Sequence, residues 1–445
     1  MLLDACRVGP AYRQPVIAAP TAWTEDSGGT DAWPDAQWWH GFAAPQLDEL
    51  IAEAQQHNDD LAAAVARVRE ADAEARIAGA ALLPGLDLAA TATRERAPVS
   101  GVGPETYNNF APGVAASYEI HFWGRNRAQR DAAVASARAS RFSRETVALT
   151  VVSGVATTYF QALELRDRIA VAQDNLVSEQ KILHGLQLEE SVGTATGLDV
   201  AQQETAVSTL YASIPPLEEQ LRQTVYALAV LVGASPESLQ VGDASLHDVA
   251  APPVVAGLPS GLLARRPDVR AAEQQLIAAN ADITVARAAL FPSITLTASG
   301  GYASSALAHL ISPASRIYAG TAGLTQPIFH AGALRAQVAY SQAYYDELLA
   351  GYHKAVLNAF GNAESALVAV RQTDEQRRRQ ATAVAAARRA YEFARAQMAA
   401  GTVNVLTVLN TELAFFTAQD TLVQVEYAHL QALVGLYTAL GGGWS

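Results

Sequence analysis

The sequence predicts a membrane β-barrel joined to an all-α tunnel, with four strands and several long helices per chain laid out as an internal tandem repeat. Three observations predict it. The first is a constant offset: GTATGLDVAQQE at 193–204 returns as GTVNVLTVLNTE at 401–412, and 401 − 193 = 208. Leu83-Pro84 and Phe291-Pro292, Gly124 and Gly332, Arg127 and Arg335, and Ala128-Gln129 and Ala336-Gln337 keep that spacing, so the chain reads as two copies of one unit of about 200 residues. The second is a pair of proline-free segments, 124–192 and 332–400, each 69 residues long and rich in Ala, Arg, Glu, Gln and Leu. At 1.5 Å per residue each could form a helix of roughly 100 Å, far beyond globular size. The third is a switch to a period of two after each Leu-Pro or Phe-Pro step, the signature of strands with one apolar face.

Residues 1–45 read as an extended N-terminal segment. Its Leu3-Asp4-Ala5-Cys6 resembles the tail of a bacterial lipobox, with Asp4 where a small or apolar residue is usual, and makes Cys6 the candidate for acylation, as with palmitate. Repeat 1, 46–240, opens with a helix over 45–82 and continues into a hairpin over 85–122. There Leu86, Leu88, Ala90 and Ala92 alternate with Asp87, Thr91, Thr93 and Glu95, and Val114, Ala116, Tyr118, Ile120 and Phe122 alternate with Ala115, Ser117, Glu119 and His121. The long helix 124–192 follows, turns at Gly193 and returns as a helix over 198–231. A linker, 241–266, precedes repeat 2, 267–445. Its first helix, 267–290, starts on Pro267-Asp268, where proline suits the first turn and the carboxylate suits the positive end of the dipole. The second hairpin, 293–329, sets Ile294, Leu296 and Ala298 against Thr295, Thr297 and Ser299, then places Tyr318, Ala322, Leu324 and Ile328 on one face with Gln326 interrupting it. The helix 332–400, the turn at Gly401 and a return helix over 406–440 complete the copy.

Composition excludes several classes. Half of the 445 residues are apolar, but Ala outnumbers Phe, Ile and Leu, which suits helices in close contact better than a thick globular core. A net charge of −13 argues against a nucleic-acid partner, and the run Arg377 to Arg379 with Arg388 and Arg389 reads as a solvated helix face. One cysteine excludes a disulfide framework and a Cys-based zinc cluster. The nine histidines include no H-x-x-x-H, and after Gly101-Val102-Gly103 it is Thr106 that stands where a dinucleotide fingerprint needs glycine. No catalytic residue, metal or cofactor is expected, and the chain reads as a non-enzyme. No stretch qualifies as a transmembrane helix, since the best, VALTVVSGVATTYF at 147–160, is short and carries Ser and three Thr. A membrane crossing would therefore use strands.

Strands in a bilayer must close, because an open edge leaves backbone groups unpaired in hydrocarbon. Four strands are too few, since the smallest barrels have about eight. Three copies would supply 12, and aromatic residues at the strand-to-helix junctions, Phe122, Trp123, Phe291 and Phe329, stand where an interfacial girdle belongs. A tube that is apolar outside and polar inside is a conduit.

Specific blocks sharpen this reading: CRVGPAYRQP, FWGRNRAQ at 122–129, GLPSGLLARRPDVRAAEQQL at 257–276, FPSITL at 291–296 and QPIFHAGALRAQ at 326–337, together with the two Gly-started turns. With these the chain resembles the TolC-type outer membrane factor family, in particular its lipoprotein branch of multidrug efflux outlets. The resemblance implies a homotrimer with a 12-stranded barrel in outer membrane lipid, continuous with a 12-helix, coiled-coil-like tunnel through the periplasm of a Gram-negative bacterium. It implies small-molecule cargo, a periplasmic adaptor protein and an inner-membrane pump of the proton-driven resistance-nodulation-division type. An outlet for secreted polypeptides, with the same fold, and an elongated helical scaffold without a pore are the alternatives. On this reading Gly193, Thr194, Ala195, Gly401, Thr402 and Asn404 form the periplasmic tip where an adaptor docks, and Asp87, Glu95 and Glu119 face the barrel lumen. Leu406 and Asn410, four apart on one helix face, form the gate. Relatives often carry an acid at the position of Asn410 and a base at that of Leu413, so Asp199 is the nearest acidic alternative.

Overall fold

The computed structural model describes residues 8–25, 33–99, 103–253, 256–257 and 259–442, so Cys6 and Asp4 lie outside the described residues. In chain order, helices α1 (Pro45–His57) and α2 (Asp59–Ala80) lead into strands β1 (Gly85–Val99) and β2 (Gly103–Ile120). Helices α3 (Arg125–Ser191), α4 (Gly197–Val232), α5 (Pro259–Arg265) and α6 (Pro267–Ala288) follow. Strands β3 (Ser293–Tyr302) and β4 (Arg316–Thr325) and helices α7 (Ala333–Ala399) and α8 (Val405–Ala439) complete the chain. The two long helices are 67 residues each. The chain divides into two compact units, one of Met1–Val16, Ala66–Arg141 and Ala271–Lys354, the other of Ile17–Val65, Phe142–Arg270 and Ala355–Ser445.

The first unit holds an antiparallel sheet in the order β1-β2-β3-β4. Its register aligns the four alternations that the sequence shows singly. Leu86 pairs with Ala116, Ala116 with Ala298 and Ala298 with Gly320, while Tyr118 pairs with Leu296 and Leu296 with Ala322. Paired residues point to the same side of a sheet, so one apolar face runs across all four strands. It is uncovered within the chain, with Leu88 81% and Tyr318 91% exposed. β1 and β4 are the edges, and among the described residues neither has a second partner strand. Beneath the strands the unit's helices meet through Ala132 and Ala135 of α3 and Ala278 and Ala281 of α6, the close contact that small side chains permit.

Two strands exceed the sequence reading. β1 runs to Val99 and β2 begins at Gly103, because backbone pairing continues where alternation stops. Arg94, Arg96, Thr106 and Asn108 occupy the otherwise apolar face there, so the upper hairpin is polar on both sides. β4, in contrast, ends at Thr325. Pro327 has no N–H to donate, and Gln326 turns its amide to the carbonyls of Leu290 and Pro327 at 3.2 and 2.8 Å. Ile328 and Phe329, read as strand from their spacing, lie beyond it and are 94% and 84% exposed. At the other junction Trp123 stacks on Phe291 at 4.7 Å and donates its indole N–H to the Pro292 carbonyl at 2.7 Å.

The second unit is organised around a large core. Trp38 and Phe42, from a short 3-10 turn within the segment read as extended, pack with Leu47 and Ile51 of α1, Tyr159 and Phe160 of α3, Leu228 of α4 and Tyr437 of α8. The Trp38 and Tyr437 rings stack at 4.7 Å. One 18-residue window of α3 does reach the length and mean hydropathy, 1.3, of a membrane-crossing helix, contrary to the sequence reading. Its apolarity has another use: Val151, Val155 and Phe160 of α3 are part of this core. The helix expected over 45–82 is two helices. Asn58 interrupts it, accepting from the Leu61 N–H at 2.9 Å to start α2 and donating to the Leu231 carbonyl at 2.8 Å. The basic run of α7 carries its own counter-charges, Arg377 with Asp374 at 2.9 Å and Arg379 with Glu375 at 2.7 Å.

Candidate functional site

The sheet register places Asp87 opposite Ala115, Glu95 opposite Tyr107 and Glu119 opposite Thr295, all on the face away from the apolar one. Ser117, Thr297 and Thr321 form a polar row on that same face. The three carboxylates are not equivalent. Glu95 accepts from the Tyr107 hydroxyl at 3.1 Å, and Glu119 stands 3.8 Å from the Arg125 guanidinium at the start of α3.

At the turns, both long helices end on a glycine in the left-handed region, Gly193 at φ 80° and Gly401 at φ 70°. The Gly193 N–H bonds the Glu190 carbonyl and the Thr194 N–H the Glu189 carbonyl, at 2.9 and 2.8 Å. Gly401 and Thr402 repeat this with Met398 and Gln397, both at 2.9 Å. This paired closure satisfies carbonyls that a helix end would otherwise leave unbonded. The return helices then start on side-chain caps. Asn404 accepts from the Thr407 N–H at 3.1 Å, and Thr196 shares a reciprocal box with Asp199, whose carboxylate accepts from the Thr196 N–H at 3.0 Å and its hydroxyl at 2.6 Å. These bonds, the hydroxyl first, hold the Asp199 carboxyl below its ordinary range. Asp199, nominated as an alternative gate acid, is thus engaged in starting its own helix. Ala195 is half-buried against Leu186, Val200 and Val405, while Gly193, Thr194, Gly401, Thr402 and Asn404 are exposed.

Leu406 and Asn410 do come together. With Leu409 and Leu413 of α8, Leu210 of α4 and Glu179 of α3, they line an open groove of about 460 Å³. Leu406 is 47% exposed.

Sequence reasoning missed what lies at the floor of this groove. Glu179 of α3 and Glu412 of α8 are both buried, both line this groove, and lie close enough for each to act on the other's carboxyl group. The Tyr391 hydroxyl of α7 donates to Glu412 Oε1 at 2.9 Å, and the Gln203 amide of α4 contacts the Glu179 carboxylate. Burial, then the neighbouring Glu179 charge, pushes Glu412 up to about 7, and burial raises Glu179 as well. A signal was present: Glu412 interrupts the buried stripe Val405, Val408, Phe415, as Glu179 interrupts Leu176 and Leu186. Among the described residues no group of His, Cys, Asp and Glu is arranged to hold a metal ion.

Comparison with known proteins accords with this geometry. The family described as Outer membrane efflux protein matches twice, over 50–234 and 258–442, and 258 − 50 = 208 repeats the offset of the turns. Pyoverdine export outer membrane protein OpmQ of Pseudomonas aeruginosa is 42% identical over 453 residues, covering 100% of this chain and 95% of its own. The protein of the same name from Pseudomonas putida is 41% identical over 438 residues, covering 96% of this chain and 93% of its own. Among solved structures, the outer-membrane channel OprN superposes with a TM-score of 0.93 at 27% identity, over 99% of this chain and 100% of that one. The match along both copies of the repeat makes the chain a member of the outer membrane efflux protein family.

Proposed function

We propose that the protein is the outer membrane outlet of a tripartite efflux system: a homotrimeric, passive conduit that receives small molecules from an inner-membrane pump through a periplasmic adaptor. The observation that carries this reading is the sheet. An uncovered apolar face across four strands, with an unpaired edge on each side, is stable in lipid only if copies join edge to edge into a closed barrel. Asp87, Glu95 and Glu119 then line the lumen, and the exposed turns at Gly193 to Thr194 and Gly401 to Asn404 offer the adaptor its docking surface. The gate is the Leu406 and Asn410 face of α8. A proton-driven pump of the resistance-nodulation-division type supplies the energy, and Cys6 carries a lipid anchor.

Cross-linking of the purified protein in detergent tests the assembly: adducts should saturate at three subunits, with channel conductance after reconstitution. A stable monomer with intact strands would overturn it. High identity to two proteins named for pyoverdine export favours a secreted, siderophore-like small molecule as cargo. Its accumulation in the medium should fall on deletion of the gene and return with the plasmid-borne chain.

A further inference from the structure

Four helices of the second unit converge on a single buried polar cluster, contributed by Glu179, Gln203, Tyr391 and Glu412 from α3, α4, α7 and α8 in turn. The two hairpins of that unit meet here side chain to side chain. Exposure is 7% for Glu179, 0% for Gln203, 8% for Tyr391 and 1% for Glu412. Apolar layers enclose the cluster: Leu186, Val200 and Val405 on the side of the turns, Ala172, Leu176 and Ile214 on the other.

Two ionised carboxylates cannot share such a site cheaply, since each loses hydration and each repels the other. Glu412 Oε1 is satisfied by Tyr391, but Oε2 is buried without a donor among the described residues. One proton resolves both problems. Held between the carboxyl groups, it removes one charge and lets a hydrogen bond form between Glu179 and Glu412, which two carboxylates cannot make. Gln203 and Tyr391 each give one hydrogen bond to a carboxylate, but among the described residues no cation stands at bonding distance of either. Gln203 on α4 is neutral, Tyr391 on α7 is a phenol held above its ordinary range chiefly by burial, and no other charge of α3 or α8 acts on the pair. Arg395 on α7 favours ionised Glu412, but it is exposed and sits over the Tyr391 ring at 5.6 Å.

We propose that Glu179 and Glu412 are a proton-operated latch that fastens the α3–α4 hairpin to the α7–α8 hairpin and releases it when the shared proton leaves. The sign is fixed by the direction of the shifts. A carboxyl raised above its ordinary value stabilises the closed arrangement below that value, and the contribution is lost as pH rises through the raised one. Glu412 is six residues from Leu406, on the helix whose face lines the groove. Separation of the hairpins at this level therefore displaces the groove face of α8.

The latch is a property of the chain, while its effect on conductance rests on the channel reading, so the test measures both. Nitroxide labels at Leu198→Cys on α4 and Phe393→Cys on α7, both exposed positions, are introduced into a Cys6→Ser background. Distances between them are recorded in the assembled protein from about pH 5 to about pH 8, which spans the interval between the ordinary and the raised carboxyl values, with single-channel recording in parallel. The open-to-closed ratio should rise with pH, at most about tenfold per unit for one coupled proton. Glu412→Gln, which keeps the shape and carries no charge, should remain closed throughout. Infrared difference spectra should show a carboxylic acid band titrating near neutral pH that is lost in Glu179→Gln. Label distances that stay flat with pH in the unaltered pair overturn the proposal without recourse to any variant, as does a pH response that survives in Glu412→Gln. Distances that respond while no conductance is seen uphold the latch and reject the channel.

Discussion

Thr194 and Thr402, 208 positions apart, make the same hydrogen bond: each hydroxyl donates to the carbonyl five residues earlier, that of Glu189 or Gln397, at 3.0 Å in both turns. The main-chain N–H of each threonine reaches that carbonyl too, at 2.8 and 2.9 Å. A glycine turn alone would reverse the chain. The added hydroxyl fixes the last helical turn, so both hairpins present a defined end rather than a frayed one.

Replacing Gly193 or Gly401 by alanine should loosen that end without disturbing the core. A Cβ at either position meets nothing within 4 Å, so the cost is conformational: about 1 kcal/mol for a side chain in the left-handed region. Amide exchange at Thr194 or Thr402 should quicken about fivefold, the equivalent of that energy. The melting temperature, set by the Trp38 and Phe160 core, should barely move. Unchanged exchange would show that the turn does not depend on glycine.

The repeat, the long helices and the strand faces were legible because each depends on local pattern. Spacing alone placed α3 and α7 to within one residue at each end. Asn58 was legible in principle, as an Asn before Asp59-Asp60 is a helix start, but the apolar periodicity on both sides concealed it. The Glu179 and Glu412 pair could not be assembled from sequence. Each glutamate is one polar interruption in an apolar stripe, and only tertiary contact between helices 233 residues apart (412 − 179) makes them a pair. Asp199 shows the converse: its charge suggested a gate, and its position three residues after Thr196 makes it a cap.

Asp199 should respond to pH in the opposite sense from Glu412. Hydrogen bonds from Thr196 lower its value, so its support of α4 is complete above the ordinary carboxylate value, near 3.9, and is lost as pH falls through the lower folded one. Amide protection in the first turn of α4 should be constant through neutral pH and decline only in strong acid. Asp199→Asn should remove this acid dependence. A loss of protection that begins near pH 6 would contradict the assignment.

The pore should prefer cations, but with unequal shares from the three acids. Asp87, Glu95 and Glu119 lie on one face and appear three times each in a trimer, within a confined channel that focuses their field. Arg125, 3.8 Å from Glu119, offsets part of that residue's charge. Reversal potentials in a salt gradient should therefore shift more for Asp87→Asn than for Glu119→Gln. Anion preference in the unaltered protein, or no shift when all three are neutralised, would refute the assignment.

The residues proposed as the gate are neutral, and this determines how a channel closed by them should respond to salt. Leu406, Leu409, Asn410 and Leu413 present apolar groups and one amide to the groove, where an ion-paired gate would present an acid and a base. Apolar contact and neutral hydrogen bonds are little screened by salt, whereas exposed charges more than about 10 Å apart are screened at 0.1 M. Raising ionic strength should thus increase current only through the supply of ions. Leu406→Ala removes a ring of three side chains from a trimer and should raise single-channel conductance at every salt concentration. The substitution should be tolerated, because Leu406 is 47% exposed and its neighbours Val405 and Val408 carry the packing of the turn. If the unaltered channel instead opens abruptly with salt and Leu406→Ala behaves as it does, closure is electrostatic. The charges responsible would then be Glu179 and Glu412, the ionisable groups that line the groove, and substitution of these by Gln would be the decisive measurement.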